Sequence, residues 1–254
     1  MSQQSAIEWT DHTFNPWWGC IKVSQGCKHC YAENLAARYG HTVWGPTATR
    51  RTFGEKHWQE PLRWNRLAEQ AGKHARVFCA SMADVFEDYP ALEGERQKLW
   101  ALIGETPWLD WQLLTKRPQN VVEMAPWTTI WPTNVWIGTS VESQAAADER
   151  IPILQAIPAH VRFLSCEPLL RPIDKIDLTG IHWLIAGGES GAGARPCQPE
   201  WVRTLRDRCL TEGVPFFFKQ WGGKTSKSGG HVLDGHVWHQ FPASLEVEMV
   251  SATE

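Results

Sequence analysis

The chain has 254 residues with 43% hydrophobic content, enough to bury one sizeable core, and α/β barrels of this size are routinely single domains. Its formal charge of −3 excludes the overall basic footprint of a general nucleic-acid binder and leaves room only for a local basic groove. No apolar run reaches the roughly 18 residues of a membrane span, and the opening MSQQSAIEWTDH lacks the basic and apolar regions of a secretory signal, so a cytoplasmic protein without membrane association is expected.

The first informative segment runs from Gly19 to Tyr31 and reads GCIKVSQGCKHCY, which spaces Cys20, Cys27 and Cys30 as C-x6-C-x2-C. A helix is expected over Tyr31–Tyr39, followed by an insertion at about 41–74 that mixes Gly, Pro, Trp and basic residues. Six or seven short apolar runs come next, among them Arg76–Ala80, Trp111–Thr115, Asn134–Thr139, Val161–Ser165, His182–Gly188 and Val214–Lys219. They look like buried parallel strands. Helical stretches at Leu92–Ile103, Gln144–Ala156 and Pro199–Glu212 alternate with them, which argues for repeated β/α units. A Lys/Ser/Gly loop opens a flexible C-terminal tail at about residue 224.

Polar residues recur where these runs end: Asp84, then Lys116 and Arg117, Ser140 and Glu142, Glu167, Glu189 and Ser190, and Gln220. Parallel barrels build their sites at those carboxyl ends. The 16 tryptophans read mainly as core and interface filling, with a minority available to stack on bases or adenine.

Seven cysteines, an odd number, read in a reducing compartment as thiols or metal ligands rather than disulfides. Three thiolates from one loop suit an iron–sulfur cluster, holding three corners and leaving one iron open. Zinc is the competing reading, with a fourth ligand from His12, His29 or His41. Cys79, Cys197 and Cys209 read as ordinary small buried residues.

A three-cysteine loop ending C-x-x-C before a helix and alternating strands resembles the radical S-adenosylmethionine superfamily, whose usual spacing is C-x3-C-x2-C. The blocks FNPWWGC, CKHCYAE, SMADVFED, LLTKRP, IGTSVES, LSCEPLL, IAGGESG and FFFKQWGG, from about Ile7 to Gly223, resemble a phage-associated, radical-SAM-like family of largely unknown function, grouped near spore photoproduct lyase. The resemblance implies a partial (β/α)6-type TIM-like barrel with an N-terminal cysteine loop. It also implies a [4Fe-4S] cluster on Cys20, Cys27 and Cys30, S-adenosyl-L-methionine chelated at the open iron, and a 5′-deoxyadenosyl radical. On it, His29 is placed near the adenine and Asp84 near the cofactor ammonium.

Ser140 and Glu142 suit ribose hydroxyls. Lys116 and Arg117 suit the cofactor carboxylate or a substrate phosphate, and Gly187 and Gly188, with Glu189, a close backbone approach to a ligand. Cys166 is a candidate hydrogen-atom donor if its thiol points into the barrel mouth. The expected partners are a reductant such as a flavodoxin or ferredoxin and a nucleic-acid substrate, the latter favoured by the family, the Trp content and Arg50, Arg51, Lys56, Arg63, Lys116 and Arg117. Two other readings stay open: a non-catalytic nucleic-acid-binding or interaction module with a structural iron–sulfur or zinc site, and a transferase that breaks a different C–S bond of the cofactor.

Overall fold

The structure is a computed structural model describing residues 5–127, 130–225 and 228–243. In chain order its first elements are β1 (His12–Thr13), β2 (Trp17–Trp18), α1 (Tyr31–Arg38), β3 (Arg51–Thr52), α2 (Glu55–Ala71), β4 (Ala75–Cys79), α3 (Glu93–Gly104) and β5 (Leu109–Thr115). There follow α4 (Val121–Met124), β6 (Val135–Ser140), α5 (Gln144–Gln155), β7 (Val161–Cys166), β8 (Trp183–Gly187), α6 (Pro199–Glu212), β9 (Phe216–Gln220), β10 (Val232–Leu233) and β11 (His236–Val237).

Seven strands pair in the order β1-β4-β5-β6-β7-β8-β9, and every pair is parallel. Between β1 and β8 lie five strand steps, about 24 Å if the sheet were flat. Yet Trp9, just before β1, meets Trp183 of β8 edge-on with centroids 6.0 Å apart. The sheet is therefore curled into a half-barrel, with Trp9, Phe78, Trp136, Phe163, Trp183 and Phe217 filling its concave side. The larger core lies on the convex side under the helices.

The expected six-unit count is thus corrected to seven strands, because β1 is too short to leave a periodic signal. Nor does every crossover carry a helix: Glu167–His182, between β7 and β8, has none. The insertion expected at 41–74 is also corrected, since half of it is the 17-residue helix α2. Gly54 precedes its first turn, Gly72 ends it at φ 59°, and Trp58, Trp64 and Ala68 bury one face in the convex core. Pro61 inside the helix obscured that periodicity.

The C-terminal region departs from a flexible tail as well. β10 and β11 form an antiparallel hairpin, after which the chain runs beside the free edge of β9. Phe218 N–H donates to the Trp238 carbonyl at 2.8 Å and Gln240 N–H to the Phe216 carbonyl at 3.1 Å, so this edge is covered rather than open. Residues 226, 227 and 244–254 of the expected tail lie outside the described residues. Among the described residues, no helix is long and apolar enough to cross a membrane.

Candidate metal centre

The cysteine loop lies over the carboxyl ends of the central strands, and backbone geometry starts it there. Gly19 N–H donates to the Met82 carbonyl beyond β4 at 3.0 Å. A short 3-10 turn at Gln25–Cys27 folds the middle of the loop, and Cys30 stands at the N-terminus of α1.

Side chains from four strand ends then hold the loop by its backbone. Glu87 Oε1, beyond β4, accepts from Ile21 N–H at 2.7 Å. Arg117, beyond β5, donates to the Ile21 carbonyl at 2.8 Å and approaches Cys20 Sγ at 3.7 Å. Glu142, beyond β6, accepts from Gly26 N–H at 3.4 Å, and Arg195, beyond β8, donates to the Gln25 carbonyl at 2.9 Å. Each of these groups is fixed by an ion pair of its own: Glu87 by Arg50 at 2.9 Å, Arg117 by Asp84 at 2.8 Å, Glu142 by Arg150 at 2.9 Å and Arg195 by Glu189 at 2.5 Å. The first three pairs are almost wholly buried, where a charge is tolerated only when paired and hydrogen-bonded.

The loop's thiols sit in different fields. Burial, together with the Asp84 carboxylate, pushes the Cys20 thiol up to about 12. Burial likewise raises Cys30, against backbone donors at the start of α1. Burial also opposes the Cys27 thiolate, but the Lys116 ammonium and backbone donors at Val23 and Ser24 outweigh it, holding that thiol below its ordinary value.

A single zinc ion with Zn–S near 2.3 Å would bring its sulfurs to about 3.8 Å from one another. Cys20, Cys27 and Cys30 all line one cleft, but among the described residues they are not a group whose ligand atoms all lie within 4.8 Å of one another. The all-sulfur donor set of three suits an iron–sulfur cluster. Beside the loop opens a cleft of ≈ 1120 Å³ including its mouth, floored by Trp9, Phe78 and Leu114. Lys116 reaches Ser140 Oγ at 3.2 Å on one wall, and Lys219 pairs with Glu167 at 2.6 Å on another.

The sequence-derived site residues do converge here, but several do something other than expected. Asp84 is engaged by Arg117, Thr115 Oγ1 and two backbone N–H groups, so its carboxylate positions the loop instead of facing an ammonium. Glu142 serves the loop and Arg150 in the same way. His29 Nδ1 lies 3.1 Å from Glu189 Oε2, and Lys116 and Ser140 line the cleft. Gly187 lies against Glu167, while a Cβ on Gly188 would stand 2.0 Å from the Trp221 carbonyl oxygen; that glycine serves the close approach of two backbone segments.

Cys166 is corrected outright. It is fully buried in the convex core, and Ser165 and Glu167 line the cleft around it. Arg50, counted among basic groups for a nucleic acid, is 5% exposed and bound to Glu87. Sequence reasoning missed Glu87 and Arg195 as loop anchors and Lys219 in the cleft wall. SMADVFED and the Gly-rich run were visible, but nothing local in them says which carboxylate faces inward.

The chain is thus a curled parallel half-barrel of seven strands with a cysteine loop over its carboxyl ends. By sequence the chain belongs to the family described as protein of unknown function (DUF5131), whose model matches residues 4–242. Among curated proteins none matches. Its structure is similar to a spore photoproduct lyase double mutant with bound AdoMet and dinucleoside spore photoproduct, at TM-score 0.50 and 12% identity, covering 81% of this chain and 62% of that one. A single mutant of spore photoproduct lyase aligns with TM-score 0.45 and 12% identity over 82% of this chain and 63% of that one. The chain thus spans somewhat under two thirds of these relatives' length.

Proposed function

We propose that Cys20, Cys27 and Cys30 hold a [4Fe-4S] cluster and that the adjoining cleft takes S-adenosyl-L-methionine. The observation that carries this reading is the trio itself: three thiols of one loop line one cleft at the mouth of a half-barrel, and buried ion pairs fix that loop. When bound, such a cluster supplies the electron that cleaves the cofactor to a 5′-deoxyadenosyl radical.

The chain's own residues supply the setting. Asp84, Arg117, Glu87 and Glu142 fix the loop, so that the thiolates need not be ordered when the metal binds. Lys116 brings positive charge to the Cys27 side and to Ser140, where an anionic group of a ligand is best met. Trp9 and Phe78 keep the floor dry, and Ser81, Ser165 and the Glu167–Lys219 pair offer donors and acceptors above it. A nucleic acid or nucleotide-derived substrate is supported by the fold's likeness to a protein solved with dinucleoside spore photoproduct. A reduced flavodoxin or ferredoxin is the reductant class proposed, and whether the reaction is of lyase or transferase type is read from its products.

One observation favours a second reading, in which the cluster only staples the loop: Asp84, Glu142 and Glu189 are spent on protein contacts. Anaerobic reconstitution with iron and sulfide analysis, followed by dithionite-driven turnover, separates the two. The proposal expects about four irons per chain and formation of 5′-deoxyadenosine. A full cluster with neither cofactor binding nor cleavage overturns the enzymatic reading, and methylthioadenosine in its place indicates a transferase.

A further inference from the structure

Away from the cysteines, Glu8, His231 and His239 bring one carboxylate oxygen and two imidazole nitrogens within 4.8 Å of one another. They come from the two ends of the curled sheet, where β1 and β9 leave a seam between them. Glu8 precedes β1, the first strand of the curled sheet, and His239 pairs with Phe217 of β9, the last. His231 precedes the β10–β11 hairpin and turns its ring toward His239, with centroids 5.3 Å apart. Phe217 stacks on the His239 ring at 4.3 Å with planes 1° apart, which fixes the direction of its nitrogens.

Both rings aim at one atom. His231 Nδ1 is 3.7 Å and His239 Nε2 3.6 Å from Glu8 Oε2. These separations are longer than hydrogen bonds, whose N···O distances are typically about 2.7–3.2 Å. They lie close to the edge of a tetrahedron around one zinc ion, about 3.3–3.5 Å for ligand distances of 2.0–2.2 Å. His239 Nε2 is moreover buried with no hydrogen-bond partner, a cost that a metal bond removes. Glu8 and His231 are partly exposed, leaving an entry path for an ion and room for water at a fourth position.

We propose that Glu8, His231 and His239 form a tetrahedral site for a divalent transition metal, zinc by its donor set, which buckles the N-terminal segment to the C-terminal segment across the seam. A two-imidazole, one-carboxylate set is borderline in softness and distinct from the all-sulfur loop, so the two sites sort their metals. The site is independent of any chemistry at the cysteines.

The test is a zinc titration of the EDTA-treated chain carrying Cys20→Ser, Cys27→Ser and Cys30→Ser, which removes the competing thiolates. One zinc per chain is expected, with a higher melting temperature. Cobalt(II) in its place is expected to give tetrahedral visible bands without thiolate charge transfer. His231→Ala with His239→Ala should weaken zinc binding by more than about 100-fold, beyond the 10–100-fold that outer partners carry. Glu8→Gln, nearly isosteric, should weaken it with circular dichroism unchanged. No stoichiometric zinc in the folded triple-serine chain, or equal uptake with and without the two histidines, overturns the site. If the triple-serine chain does not fold, the same histidine comparison is made on the cluster-loaded chain, by zinc content and melting temperature.

Discussion

The carboxyl ends of the strands and the concave interior below them are built from the same strands, yet they are held by different physics. At the mouth, Asp84–Arg117, Glu87–Arg50 and Glu142–Arg150 are buried ion pairs, directional and intolerant of a missing partner. Below, Trp9, Phe78, Trp136, Phe163, Trp183 and Phe217 pack by shape, mostly as tilted or edge-on rings. Around the cysteine loop the chain uses hydrogen-bonded charge; where it must only fill volume it uses aromatics.

Loss of any one of Cys20, Cys27 or Cys30 should abolish cluster assembly while leaving the fold intact, since none of the three belongs to the main core clusters. Iron analysis and thermal melting on the same samples check this. Next in size, Arg117→Ala strands Asp84 in a buried site and should cost about 3–5 kcal/mol together with most of the iron loading. Trp183→Ala, in the interior, should cost a similar amount, about 3–5 kcal/mol, but with iron per folded chain preserved. Denaturant unfolding paired with iron content decides between them. Equal iron loss in both variants would erase the distinction between mouth and interior.

A smaller effect comes from Gly138→Ala on β6. Its Cβ would stand 2.4 Å from the Phe163 ring, so the interior must shift, at a cost of about 1–3 kcal/mol. Unfolding curves should show it, with no change in iron content.

Most of this architecture was legible in the sequence, for reasons that differ by residue. Pro199–Glu212 was recovered to the residue because Pro opens it and Gly213 closes it in the left-handed region. Strands β4 to β9 were found because buried parallel strands are near-continuous apolar runs, but that continuity also hides their faces. Hence Cys166 was expected in the mouth: in VRFLSC both faces look alike, and only pairing shows Phe163 inward and Cys166 under the helices. The cysteines stood out through their spacing, and the structure places them together at the mouth. The role of Asp84 did not stand out, because which partner a carboxylate meets depends on Arg117, 33 residues away. The seam cluster of Glu8, His231 and His239 left no signal, its members coming from opposite ends of the chain.

The smallest expected effect concerns the hairpin beside that seam. Asp234 takes φ 52° and with Gly235 makes the two-residue turn between β10 and β11, as an Asp-Gly pair suits. Its carboxylate meets Arg203 at 2.7 Å and Arg206 at 2.6 Å on α6, and the hydrogen bonds from these guanidinium groups hold it at about 2. A depressed carboxylate stabilises the folded form above its unfolded value, about 3.9, and loses that contribution as pH falls through its folded value. Asp234→Asn keeps the turn and removes the charge. Hydrogen exchange in residues 232–237 should therefore be slower in the unaltered chain than in the variant above pH ~4, with the gap closing toward pH ~2. The pair is solvent-exposed and so screened, and added salt should narrow the same gap at neutral pH. A gap that ignores both pH and salt would mean that packing, as in the interior, and not charge, as at the mouth, holds the hairpin to α6.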